Sequence, residues 1–347
     1  MLKLVMVAMQ WALLLSVGIY GVAGTASADD GEPSEQFKQR AFEPKIDGKW
    51  IGQGISYGPY RKGQAPNGEQ PTKVQMREDL VLLSKNWQLL RIYGSRGVAS
   101  DILEIIRQEK LSMKVMLGAW ITRENDVPGQ DMGEFPAAVK ANKDEVAGAI
   151  QLANEYPDVV IAVSVGNESQ VYWSDHITKP EVLIRCLREV RSATKIPVTT
   201  ADDFNFWNKP ESQAVAEEID FIVTHLHAHW AGNLLHDAMP WTQKVYKEVC
   251  QHHPDKTVVI GEAGWATQVH NEGEQAKLIK GKAGEKQQLA YYQEFTSWAS
   301  NNKICTFYFE AFDEPWKGGP HPNEVEKHWG LYRVDRKPKQ ASLHNDP

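Results

Sequence analysis

Two short runs in this sequence climb through apolar residues and stop on a carboxylate: Val163-Ser164-Val165-Gly166-Asn167-Glu168 and Val258-Val259-Ile260-Gly261-Glu262. A strand emerging into solvent can end on any polar residue, so one such ending carries little weight. Two acids presented in the same way carry more. Facing carboxyl groups can cleave a glycosidic bond, one protonating the departing oxygen while the other attacks the anomeric carbon or activates water. Their separation sets the stereochemistry, about 5 Å for retention and clearly more for inversion. A rival chemistry comes from His225, His227 and His229. At spacing two they share one face of a strand, and His-x-His can hold zinc or another divalent metal in a metal-dependent hydrolase. No other strand end carries a histidine, so Glu168 and Glu262 would have to complete the ligand set.

The elements that must position these groups are read from hydrophobic patterning. Eight short apolar runs alternate with longer stretches of helical period: 52–58, 89–94, 114–120, 159–168, 196–203, 219–227, 257–265 and 304–312. Between them, apolar residues recur at helical spacing, as in Met76, Leu80 and Leu83, or Val146, Ile150 and Ala153. Eight βα units predict an α/β chain folded as a single (β/α)8 barrel, with a doubly wound open sheet as the alternative. The glycines after the first run, in "GISYGPYRKGQAPNG", lack the spacing of a nucleotide-binding turn, which favours the barrel. In such barrels chemistry sits at the C-terminal ends of the strands, and the fourth and seventh strands, ending on Glu168 and Glu262, face each other across the mouth.

At 347 residues, 42% hydrophobic and 24% charged, the chain fits one large domain. Residues 1–28 read as a secretory signal peptide, with Lys3, an apolar stretch and Ala26-Ser27-Ala28 as cleavage site. An uncleaved anchor is the alternative, since Leu4 to Ala23 is about the length that spans a bilayer. Residues 29–48 are polar and aperiodic and read as a flexible leader; residues 49–347 form the (β/α)8 catalytic domain. The expected location is secreted or periplasmic, with no stable membrane insertion once the signal is removed. The net charge of −7 speaks against nucleic acid and other polyanions as partners. Cys186, Cys250 and Cys305 are an odd count within regular elements, and read as core packing rather than a disulfide framework.

The motifs "VGNE" (165–168), "IGEAGW" (260–265) and "EAFDEPWK" followed by "HWGLY" (310–332) together resemble glycoside hydrolase family 17, particularly its bacterial members. The resemblance implies a retaining (β/α)8 enzyme that hydrolyses or transglycosylates β-1,3-glucan through a covalent glycosyl-enzyme, without a cofactor. By matching position it implies that Glu168 is the acid/base and Glu262 the nucleophile. It also implies that Asn167 binds the sugar 2-hydroxyl and that Glu314 and Lys317 form a supporting E-x-x-K pair. Lys317 is expected to help hold Glu262 anionic.

The sequence departs from that pattern at His227-Ala228-His229, where relatives have Leu-Pro-Tyr, and the bond a tyrosine would give the nucleophile is expected from His229. "GWAT" likewise stands where Gly-Trp-Pro-Ser is usual.

Strand-end aromatics supply flat faces for glucose rings, and Trp230, Trp265 and Trp316 are the first expected sugar contacts, with Tyr57 and Tyr93 lining the same cleft. Trp87, Trp241 and Trp298 read as helix packing. Asp202 and Asp203 are candidates for hydroxyl binding or a solvated turn, and 122–142 and 317–327 are candidate cleft walls. A non-catalytic glucan-binding barrel is the remaining class, and the presence of both glutamates with their flanking residues speaks against it.

Overall fold

The computed structural model describes residues 38–124 and 135–344. The expected signal peptide, residues 29–37 of the leader and residues 125–134 of the first wall candidate lie outside the described residues. All eight predicted runs are strands: β3 (Gln53–Ser56), β4 (Leu89–Ile92), β5 (Lys114–Ala119), β6 (Val160–Asn167), β7 (Val198–Asp203), β8 (Ile222–His225), β9 (Val258–Ala263) and β10 (Thr306–Tyr308). They pair in parallel, in chain order, and β10 closes onto β3 to complete a barrel. Helices cover it, principally α1 (Lys73–Leu83), α2 (Ala99–Gln108), α3 (Pro136–Glu155), α4 (Pro180–Ala193), α5 (Leu235–His252) and α6 (Glu285–Asn301). This is a (β/α)8 barrel.

Period-two alternation sorts each strand between two cores. On β4, Leu89 joins the cluster inside the barrel with Met116, Ala162, Ala201, Phe221, Val259 and Phe307, while Leu90 and Ile92 face the helices. Arg91 also points inward, which places a guanidinium among apolar neighbours and makes a partner obligatory. The helices present the stripes read from sequence: Met76, Leu80 and Leu83 of α1 are fully buried, and α1 begins on a Thr72/Gln75 capping box.

The N-terminal boundary differs from the expected one. The leader was expected to run flexibly to residue 48, yet from Lys38 the chain is packed. Phe42 stacks on Phe221 at 4.2 Å, and β1 (Lys45–Ile46) pairs with β2 (Lys49–Trp50) beneath the barrel floor. The reason is the open lower end of the barrel, where Phe221 would otherwise meet water. Polar composition hides this because only Phe42 and Ile46 do the packing. Asp220 anchors the segment: its carboxylate accepts from the backbone N–H of Arg40 (2.6 Å) and Val198 (2.8 Å) and pairs with Arg191. Removing one member of a buried ion pair costs about 3–5 kcal/mol, so Asp220→Ala is expected to lower the unfolding free energy in urea by that amount. A loss below about 1 kcal/mol would show that the anchor is dispensable.

Candidate active site

The C-terminal ends of the strands carry the charged residues, and their backbones are irregular there. The β6–β7 register shifts between Ser164 and Asn167, and the β8–β9 register between Thr224 and His225. Gly166 has φ +82° and Glu168 φ +49°, so a bulge built on glycine turns the end of β6 and re-aims the glutamate. Glu168 keeps its ladder bond to Ala201 while its side chain swings over the mouth. Gly261 serves a close approach: a Cβ there would stand 2.4 Å from Val223 and 3.2 Å from the His225 ring.

Glu262, only 7% exposed in its side chain, is the best-held group in the mouth. Its Oε1 accepts from Arg91 Nη1 at 2.7 Å and from the Tyr93 hydroxyl at 2.9 Å, and its Oε2 meets His227 Nε2 at 3.0 Å. Burial pushes its pKa up, but His225, the hydrogen bond from His227 and the Arg91 charge together hold it well below the usual carboxylate range. Glu262 in turn raises the His227 imidazole against its own desolvation. Arg91 reaches further, donating through Nη2 to Asn167 Oδ1. His225 sits between the two acids, with Nδ1 2.9 Å from Glu168 Oε1 and Nε2 3.5 Å from Glu262 Oε1. Glu168, at 27% side-chain exposure, is the more open of the two.

These carboxylates face a cleft of about 880 Å³. Its walls include Tyr57, Tyr60, Tyr93, Trp120, Phe309, Trp316 and the carboxylates of Glu145, Glu314 and Glu326. Tyr60 meets Trp316 edge to face at 5.8 Å, and Trp316, 40% exposed, keeps a ring face open. Exposed aromatics over buried carboxylates suit a pyranose ring, which offers an apolar face to stack and hydroxyls to bind.

Several expectations need correction. His229 does not touch Glu262; its Nε2 bonds the Gly281 carbonyl at 2.9 Å, its ring stacks on Trp265 at 4.1 Å, and burial lowers its pKa to about 4. The bonds expected from it come from His227 and Tyr93. The three histidines therefore do not converge; His225, His227 and Glu262 do, with ligand atoms within 4.8 Å of one another. Trp265 is fully buried, with Nε1 bonded to the Lys282 carbonyl, and has no face for a sugar. Trp230 packs beside Phe309 and Trp329 and donates to Glu326 at 2.8 Å, behind the cleft wall.

Lys317 does not hold Glu262. Its Nζ lies 2.7 Å from both Glu310 and Glu314, whose charges raise it well above the usual lysine range in spite of burial. Glu314 also accepts from Trp316 Nε1 at 3.0 Å, so the E-x-x-K pair braces the cleft aromatic. Tyr57 borders the cleft but is fully buried in the core, with its hydroxyl donating to Asp79 at 3.3 Å, and offers no ring face to a sugar. Asp202 and Asp203 are spent on backbone N–H groups, of Gln170 and Asn205 respectively.

Arg91, His225 and His227 are the residues that site reasoning from sequence missed as Glu262 partners. Arg91 had a signal: it is the one charge in the apolar run "LLRIYG", at an inward position.

Known proteins resemble this chain along most of its length. It is 30% identical over 287 residues to a glucan 1,3-beta-glucosidase of Arthroderma benhamiae, covering 79% of this chain and 86% of that one. It is 26% identical over 336 residues to a probable glucan endo-1,3-beta-glucosidase, btgC, of Aspergillus terreus, and spans 48% of that protein's length. Among solved structures, an endo-laminarinase from Formosa Hel1_33_131 superposes with TM-score 0.72 at 28% identity, covering 84% of this chain and 86% of that one. A family 17 β-1,3-glucanosyltransferase from Rhizomucor miehei shares the fold with TM-score 0.64 at 24% identity, over 83% and 95% of the two chains. The model of the BtgE/BtgC glycoside hydrolase domain matches residues 54–330, which contain the barrel strands from β4 to β10 and both mouth glutamates, and the chain belongs to that glycoside hydrolase family.

Proposed function

We propose that this glycoside hydrolase cleaves β-1,3-linked glucan with retention, Glu262 attacking the anomeric carbon and Glu168 serving as acid and then base. The observation that carries this reading is the single imidazole of His225 between the two carboxylates. That ring brings both acids to the same point of the mouth, and retention follows the glycoside hydrolase family to which the chain belongs. The electrostatics agree with the division of labour. Glu262 is held ionised by Arg91, Tyr93 and His227, while Glu168 reaches more solvent. In the first step Glu262 forms the bond to C1 as the glycosidic C–O bond breaks, and the leaving oxygen takes the Glu168 proton. In the second, Glu168 removes a proton from the incoming hydroxyl, which displaces Glu262.

Asn167, fixed by Arg91 and lining the cleft beside Glu168, is assigned to the sugar 2-hydroxyl. Trp316 and Tyr60 are assigned to stack a glucose ring. The linkage rests on the relatives whose names specify 1,3-beta-glucan and laminarin.

Water or a second sugar hydroxyl can complete the second step, so hydrolysis and glucosyl transfer share this site. Export through the N-terminal signal is part of the same reading, because polymeric glucan lies outside the cell. Among the described residues no helix is long and apolar enough to cross a membrane. The mature protein should begin at Asp29 on N-terminal sequencing; a start at Met1 would make the segment an anchor.

Incubation with a linear β-1,3-glucan oligosaccharide should yield shorter products that are absent with Glu262→Ala. Longer products would assign transfer, and identical chromatograms would reject the site. Hydrogen bonds to charged acceptors are worth about 1.5–3 kcal/mol, so Tyr93→Phe should lower kcat/KM by roughly 10- to 150-fold at unchanged fold. A change below about twofold would remove Tyr93 from the support of the nucleophile.

A further inference from the structure

His225 Nε2 is fully buried, makes no hydrogen bond, and points at Glu262 Oε1 from 3.5 Å. His227 Nε2 approaches the other oxygen of the same carboxylate at 3.0 Å. Two imidazole nitrogens and a carboxylate within 4.8 Å are a borderline-soft ligand set. The two imidazoles approach different oxygens of Glu262, so an ion with bonds of roughly 2.0–2.2 Å would sit between the rings against the edge of the carboxylate. Glu262 lines the cleft, so an ion has a path in and the cleft side offers an open fourth position.

We propose that His225, His227 and Glu262 form an inhibitory site for a divalent transition metal such as Zn²⁺ or Cu²⁺. The proposal rests on the reading of Glu262 as nucleophile. It is opposite in sense to metal catalysis, because the bound ion occupies the carboxylate that must attack and adds no activated water that the reaction needs.

The blockade acts at the carboxylate itself, because an ion held by both imidazoles occupies the oxygens that line the cleft. Arg91, 2.7 Å from Glu262 Oε1, opposes the ion electrostatically, so binding is reversible by a chelator. The site depends on His227, the imidazole that stands nearer to Glu262.

The test titrates ZnCl₂ into the whole protein, following binding by calorimetry and glucan cleavage in parallel. Expected are one ion per chain and inhibition that a chelator reverses. His227→Gln and Glu262→Gln should each weaken Zn²⁺ binding at least about 10-fold. His236→Gln, on an exposed histidine, should leave it unchanged. Thermal melts confirm that the variants fold, and two variants on different strands guard against loss of one. Co²⁺ in place of Zn²⁺ should give visible absorption bands that disappear in His227→Gln.

Equal Zn²⁺ affinity in wild type and both site variants, or no saturable binding, would overturn the proposal and leave the glucanase reading intact. Binding that the site variants weaken but that leaves cleavage unimpeded would overturn the blockade, and with it the assignment of Glu262 as nucleophile.

Discussion

A carboxylate kept ionised almost out of water is the constraint on which the mouth of this barrel depends. Moving a charge into a protein interior costs several kcal/mol unless it is paired and its lone pairs are filled. Glu262 is covered on both oxygens, by Arg91 and Tyr93 on one and His227 on the other. Arg91 is just as dependent, at 2% exposure in the barrel interior, so each charge is tolerable only because of the other. The second arm of Arg91 extends the network to Asn167 at the end of β6, tying the strand before Glu168 to the residue that faces it. Hydrogen bonds of this kind reinforce one another in a low-dielectric site and fix geometry more tightly than any single contact.

That network explains why the strand ends are irregular. A regular β6 would carry its side chains straight up and alternate them inward and outward, leaving Asn167 and Glu168 on opposite faces. The register shift after Ser164, together with positive φ at Gly166 and Glu168, turns both toward the mouth. The shift between Thr224 and His225 aligns His225 with Glu262. The barrel below supplies the rigidity: the Phe42 plug and the Asp220 cluster close the floor, far from the chemistry. Stability and catalysis occupy opposite ends of the same strands.

Much of this was legible in the sequence, for reasons that also mark where legibility stops. The eight strands were visible because a parallel barrel buries both strand faces and leaves continuous apolar runs. Glu168 and Glu262 were visible because each interrupts such a run at its end. The partners of Glu262 were misread wherever chain direction changes. Period-two spacing put His225, His227 and His229 on one face, but β8 stops at His225 and the chain then turns, with Ala231 bonding back to His227. His227 still faces the mouth, while His229 lies behind it on Trp265. Lys317 was misassigned because E-x-x-K is a local spacing, and a lysine three residues from a glutamate pairs with that glutamate first. Trp230 and Trp265 show the limit of reasoning from residue type: strand-end tryptophans serve both the cleft and the packing that supports it.

The His225 ring adds a constraint that neither glutamate carries alone. A neutral imidazole has one N–H and one lone pair, on opposite sides of the ring. The ring's Nδ1 lies 2.9 Å from Glu168 Oε1 and its Nε2 3.5 Å from Glu262 Oε1. Because its one N–H can face only one acid at a time, and what one side presents decides what the other side meets, a change at His225 acts on both carboxylates together. The end of β8 thereby ties the end of β6 to the end of β9, and the two acids are placed as a pair rather than one by one.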